Sequence, residues 1–351
     1  MERETNILFF LCFRNIIIKK EIFRQIRIFK KHNETVYLFS KLKLLEHPFR
    51  DYITNLYLDF RDGSLPYFIP DSVKKLTFGS LFNNSLKGLI PYYCEELVLG
   101  SNFNQAIEQG DLANLSSIIF GNKFNQQFTG CCVFPPTLKS VVLGSRFNKD
   151  ILPGSMGNHI EKITFGGDFN KQLVEGSLPE SVTSITFGWD YNQPILENSI
   201  PASTKTIIFG ESFNQIIKPG YLKQIETIVF GNNYNQPLLP NSIPASTTSI
   251  TFGKKFDQPI STESDPVGII PESCTFLKFG FNFNQSVSTI GAIPPKVKSL
   301  IFGECFNQSF SPVGCIPPFV ETIILGTYYK KNITQDEIPI NCEIKKIKSS
   351  K

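Results

Sequence analysis

Apolar and polar residues alternate along most of the chain for only four or five positions at a time, and that short alternation keeps returning. The phrase "TFGSLFNN" at Thr77 comes back as "VLGSNFNQ", "IFGNKFNQ", "VLGSRFNK", "TFGGDFNK" and "TFGWDYNQ". It continues as "IFGESFNQ", "VFGNNYNQ", "TFGKKFDQ", "KFGFNFNQ", "IFGECFNQ" and "ILGTYYKK". The shared glycines run from Gly79 to Gly326 at intervals of 21 to 23 residues, with one interval of 27 after Gly253. Twelve copies at a period of about 22 residues predict a solenoid in which each copy forms one coil.

With each glycine set at zero, position −1 is Phe in nine copies and Leu in three, and position −3 is Ile, Leu or Val throughout. Position −4 is mostly polar, as at Lys75, Ser117 and Ser184. Apolar residues at −3 and −1 around a residue of another class give the period of two of a short strand with one buried face. Each strand is expected to pair in parallel with its equivalent one coil away, about 4.8 Å distant. The fold class is therefore a repeat solenoid of about 12 coils of 21–23 residues on one parallel β-sheet.

Two variable residues after the glycine lead to an aromatic at +3 in all twelve copies, and Asn follows at +4 in ten. A ring and an amide side by side cannot both point inward from a strand, so the chain must turn a corner there. Stacked equivalents would then form a structural ladder of Asn83, Asn104, Asn125, Asn148, Asn170, Asn192, Asn214, Asn235, Asn284 and Asn307, sealing backbone groups that the bend leaves unpaired. The invariant glycine fits either a positive-φ bend or a close backbone approach. Pro stands at −9 in nine copies and marks a non-ladder segment leading into the strand.

These elements, above all "IIFGESFNQ" and "SIPASTTSITFG", resemble the FNIP repeat, named for its Phe-Asn and Ile-Pro elements. The likeness covers residues 69–340, and the family is counted as a short relative of leucine-rich repeats. Apolar residues at −6, −3 and −1 reproduce part of the leucine-rich pattern, although a leucine-rich repeat places its Asn earlier than +4. The resemblance implies a protein-interaction surface and supplies no catalytic residue.

The leading sixty residues read differently. Residues 6–29 suggest two helical segments, with Phe9, Phe13 and Ile17, then Ile22, Ile26 and Phe29, on apolar faces, and Lys19, Lys20, Arg24, Arg27, Lys30 and Lys31 between them. Residues 1–60 are expected to be a helical N-terminal cap or an F-box-like segment, residues 61–340 the solenoid and residues 341–351 a basic tail. The cap is the favoured reading, since a solenoid needs its ends covered and the Leu-Pro opening of an F-box is missing. A basic amphipathic helix touching anionic membrane is a third reading. Residues 1–60 hold 11 Lys and Arg against 7 Asp and Glu, whereas residues 61–340 hold 20 against 23. A nucleic-acid partner is therefore not expected of the rod.

No apolar run is long enough to span a bilayer, and no signal peptide is read at the start. Eight cysteines without a C-x-x-C pair are expected as free thiols in a reducing, intracellular and most simply cytoplasmic setting. The pair Cys131-Cys132 reads as buried or half-buried thiols. His32, His47 and His159 form no ligand grouping, so neither metal nor other cofactor is expected, and no nucleophile elbow or phosphate loop is present. Trp189, at the variable +1 position, either packs on a neighbouring coil or forms a contact.

What the repeat leaves free is the outward strand position, −2. There Val98, Ile119, Val142, Ile208 and Val229 form a candidate partner-binding face among threonines, although β-branched residues also suit strands for their own sake. The segment "STESDPVG" in the long coil is a surface loop and a possible contact. The expected function is a non-enzymatic protein–protein interaction scaffold. The alternative is a ubiquitin-ligase substrate receptor whose leading segment docks an adaptor.

Overall fold

The computed structural model describes residues 16–31, 34–60, 68–112, 114–129, 134–261 and 269–346. Helix α1 (Ile16–Lys31) leads into strand β1 (Val36–Leu38), a short helix α2 (Lys41–Leu45) and strand β2 (Asn55–Leu58). Twelve repeat strands follow, from β3 (Lys75–Phe78) to β14 (Thr322–Leu325), and β15 (Glu343–Lys346) comes last. All fifteen lie in one sheet in sequence order. Equivalent positions pair in parallel, as in Ile185↔Ile207 and Ile207↔Ile228.

The sheet is longer than the repeat at both ends. Residues 36–60, expected within a helical segment, carry two coils of their own, and Glu343–Lys346 adds a strand inside the expected tail. The boundary at residue 60 therefore falls within the sheet. "VYL" and "NLYL" keep the alternation but lack the Gly-x-x-Phe-Asn signature, which is why the period passes over them. The first of the two expected helical segments lies outside the described residues except at its edge, as do His32, Cys12, Cys131, Cys132, residues 262–268 of the long-coil loop and residues 347–351.

Each coil is a strand joined by tight turns. The aromatic N–H at +3 donates to the glycine carbonyl of its own coil, as from Phe124 to Gly121 at 3.0 Å and from Phe147 to Gly144 at 2.9 Å. A second turn closes from −6 to Pro at −9, as from Val182 N–H to the Pro179 carbonyl at 3.0 Å, and delivers the −6 side chain to the core. Where −6 is polar, Thr204 and Thr247 remain buried because each hydroxyl donates to a carbonyl of the preceding coil, Val182 and Ile225 respectively.

Of the two explanations for the invariant glycine, close approach holds. A Cβ on Gly188 would stand 1.7 Å from the Gly166 carbonyl oxygen, and equivalent glycines face the same obstacle. Positive φ belongs instead to position −12, at Gly154 and Gly176 and, where glycine is absent, at Asn198 and Asn241.

The core is a double column of rings. Successive +3 rings from Phe82 to Tyr329 stand 5.9 to 6.2 Å apart and within 19° of parallel. Each −1 Phe stacks on the +3 ring of its own coil at 3.8 to 4.1 Å. Burying one such side chain contributes about 1.5–3 kcal/mol. Strands repeat at about 4.8 Å, yet neighbouring −1 rings are 5.2 to 5.7 Å apart and +3 rings farther still. The rings are thus spaced more widely than the usual strand repeat, and more so at +3 than at −1.

Candidate protein-interaction face

The amides at +4 are engaged internally. Each accepts the backbone N–H of the equivalent residue one coil on, as Asn170 accepts from Asn192 at 3.0 Å and Asn192 from Asn214 at 2.9 Å. The series runs unbroken from Asn83 to Lys330, with the Asp257 carboxylate continuing it between Asn235 and Asn284. These side chains are mostly half-buried rather than enclosed in the corner, and Asn83, Asn284 and Lys330 are exposed. Sequence reasoning missed the following Gln at +5. Gln126, Gln193, Gln215 and Gln258 donate Nε2 to the Asn Oδ1 of the preceding coil at 3.0–3.1 Å. The signal was the third letter of the recurring "FNQ".

A second row closes on itself along one margin of the sheet. At −5 the residues run Lys74, Glu95, Ser116, Lys139, Glu161, Thr183, Lys205, Glu226, Thr248, Thr275, Lys298 and Glu321. Each Lys pairs with the Glu of the next coil: Lys74–Glu95 at 3.0 Å, Lys139–Glu161 at 2.9 Å, Lys205–Glu226 at 3.2 Å and Lys298–Glu321 at 3.0 Å. Ser116, Thr183, Thr248 and Thr275 instead donate their hydroxyls to the carbonyl one coil back. Exposed pairs of this kind add only about 0–1 kcal/mol each. Their larger effect is chemical, because the row keeps no unbalanced charge for a ligand.

The outward positions −2 and −4 remain. In register, Val98 neighbours Ile119 and Ile119 neighbours Val142. Thr164 and Thr186 then separate that file from the adjacent pair Ile208 and Val229. The structure thus divides the five candidates into two aliphatic patches. All five are half-buried except Ile119, which is 42% exposed. From β3 to the strand ending at Lys278, the charged residues at these two positions are the paired Lys75 and Glu96, Lys162 and Lys278 itself.

The file continues beyond the repeats, where sequence reasoning did not look. Tyr37 pairs with Tyr57 and Tyr57 with Thr77, which brings the row to Val98. Tyr37 and Phe39 are each 63% exposed, and the rings of both contact Tyr57 at 5.2 and 6.1 Å. Burial, aided by the neighbouring Asp59 carboxylate, pushes the Tyr57 phenol up. Asp59 stands at the glycine position, where its Oδ1 accepts the Leu81 N–H at 2.7 Å. The alternating "VYLF" and "LYLD" were the available signal.

Other chemistry is dispersed. Among the described residues no group of three or more His, Cys, Asp or Glu could hold a metal ion, and no described helix is long and apolar enough to cross a membrane. His47 Nδ1 accepts the Phe49 N–H at 3.2 Å, and His159 is exposed far along the rod. Cys94 and Cys274 fill −6 core positions, where burial pushes both thiols up to about 12. Trp189 is 64% exposed. A groove of about 750 Å³ beside the first proline turns is lined by Arg50, Asp71, Lys87, Tyr92 and Asp111 among others.

A model of the FNIP repeat matches residues 82–123, 124–168, 169–212, 213–255, 234–265, 256–305 and 306–344. Each match begins on a +3 ring, and most take in two coils. Among solved structures, CroV588, described as a novel circular LRR protein, superposes with a TM-score of 0.76 and 29% identity over 85% of this chain. The chain spans 50% of the length of CroV588. A leucine rich cell surface protein from Faecalibacterium prausnitzii A2-165 aligns at 13% identity over 91% of this chain and 88% of its own. Its TM-score is 0.21. No curated protein matches the chain.

Proposed function

The chain belongs to the FNIP repeat family, and on that footing we propose that it is a non-enzymatic scaffold that holds a protein partner against the outward face of its sheet. The observation that carries this reading is the contiguous file of Val98, Ile119 and Val142, followed across Thr77 by Tyr57 and Tyr37. Contiguous apolar surface bordered by polar residues is the usual mark of a protein contact, and exposed aromatics supply its anchors. The ring, glycine, amide and −5 rows are already engaged within the stack, so they offer a partner little. A protein fits better than a nucleic acid, because a nucleic-acid footprint needs clustered cations. The described cysteines Cys94, Cys274, Cys305, Cys315 and Cys342 are free, in keeping with a reducing intracellular setting. Residues 61–340 supply most of the surface in this reading, and the leading segment and tail flank it.

The test replaces Val98, Ile119 and Val142 together by Ser and compares partner capture with that of the unaltered chain. Loss of the partner with a nearly unchanged thermal midpoint is the expected result. A partner retained at full strength would sink the assignment to this face.

A further inference from the structure

We propose that the side of α1 turned away from the solenoid is a docking surface for an anionic lipid bilayer. The helix meets the rest of the described chain on one side. Tyr52 Oη donates to Gln25 Oε1, and the Phe29 ring lies edge-on to Tyr52 at 5.0 Å. Ile22, Gln25 and Ile28 are the less exposed positions of the helix. At about 100° per residue, Lys19, Lys20, Phe23, Arg24, Arg27 and Lys30 all lie roughly 100° or more around the axis from Gln25. Five cations therefore share the face opposite the Tyr52 contact, with Phe23 among them.

The single acidic residue of the helix, Glu21, is paired with Arg24 at 2.7 Å and leaves the other four cations unopposed within the helix. Phe23 is 45% exposed, and Ile26, at the border of the basic face, is exposed as well. Long cationic stems around exposed apolar side chains suit the headgroup boundary, where charge meets phosphate and the ring enters the acyl region. Nucleic-acid phosphates would meet the same cations but offer no acyl layer to receive Phe23 and Ile26. The rod itself holds 20 Lys and Arg against 23 Asp and Glu over residues 61–340, so it brings no attraction of its own to an anionic surface. The helix would thus dock the molecule and leave the sheet free for its partner.

Cosedimentation of the full chain with vesicles of phosphatidylcholine containing about 30% phosphatidylserine tests the proposal, since anionic lipid near that level gives about fivefold of attraction per cation. Binding to these vesicles, weak binding to phosphatidylcholine alone and loss at high salt are expected. The triple substitution Lys20→Gln, Arg27→Gln and Lys30→Gln should lower partitioning about 100-fold, and Phe23→Ser about tenfold. All four positions face away from Tyr52, so an unchanged melting curve verifies the fold. Absence of vesicle binding by the unaltered chain overturns the proposal. So does equal binding to both vesicle types, or dependence on the same residues for capture of an adaptor protein or heparin without any vesicle binding.

Discussion

The repeat array and the leading segment solve one packing problem with different residues. Between β3 and β14 the recurring rings, amides and −5 side chains find partners one coil away: ring on ring, amide oxygen on backbone N–H, Lys on Glu. At β1 and β2 the sheet continues, but Asp59 stands where the array has glycine, and exposed rings at Tyr37 and Phe39 stand where it has Thr, Val and glycine. Self-pairing rows make the array rigid and chemically closed. Surface available to other molecules is left to the outward strand positions and to the end of the stack that departs from the repeat.

The largest break in that comparison is steric. Gly188→Ala puts a methyl 1.7 Å from the Gly166 oxygen and is expected to cost more than about 4 kcal/mol, seen as loss of the cooperative melt. Gly154→Ala, with open space around it and φ of 77°, should cost only about 1–2 kcal/mol through backbone strain. Equal effects at the two sites would remove the close-approach explanation.

Next comes the amide row. Asn192→Ala leaves the Asn214 N–H and Gln215 Nε2 without the acceptor they share, and a loss of about 1–3 kcal/mol in chemical denaturation is expected. A smaller change of opposite sign is expected at Tyr191, whose buried hydroxyl has no partner. Other coils place Phe there, and Tyr191→Phe should stabilise by about 1 kcal/mol. A destabilised variant would show that the hydroxyl is satisfied in solution.

At the far end of the scale, Phe39→Ser should change the melt by less than about 0.5 kcal/mol, because the ring is mostly in solvent. A large loss there would mean that the leading segment packs as tightly as the array. Thiol labelling gives a contrast within the array. Cys94 and Cys274, buried and pushed up to about 12, should resist alkylation at pH 8 until the protein unfolds.

How much of this was legible depended on whether a residue's role recurred. The strand at −3 and −1, the ring at +3 and the amide at +4 could be read because twelve copies sample one environment. The glycine was ambiguous from sequence, since the same residue serves a bend and a close approach, and only the coil-to-coil distance decides between them. Asn198 and Asn241, at positive φ where other coils have glycine, could not be told from ordinary polar turn residues. The strands at Val36–Leu38 and Asn55–Leu58 escaped because they keep the alternation without the corner motif. On the candidate face the residue types were readable, but the separation of Val142 from Ile208 by two threonines, and the joining of Tyr37 and Tyr57 to Val98, required the pairing register.

The most direct test of self-pairing rows is native-state amide hydrogen exchange on the Asn192→Ala variant. The Asn214 N–H, whose acceptor is the Asn192 side chain, should lose protection, while the Asn192-position N–H, held by Asn170, should keep it. Loss on the Asn170 side instead, or unchanged protection at Asn214, would contradict a ladder in which each amide secures the coil that follows it.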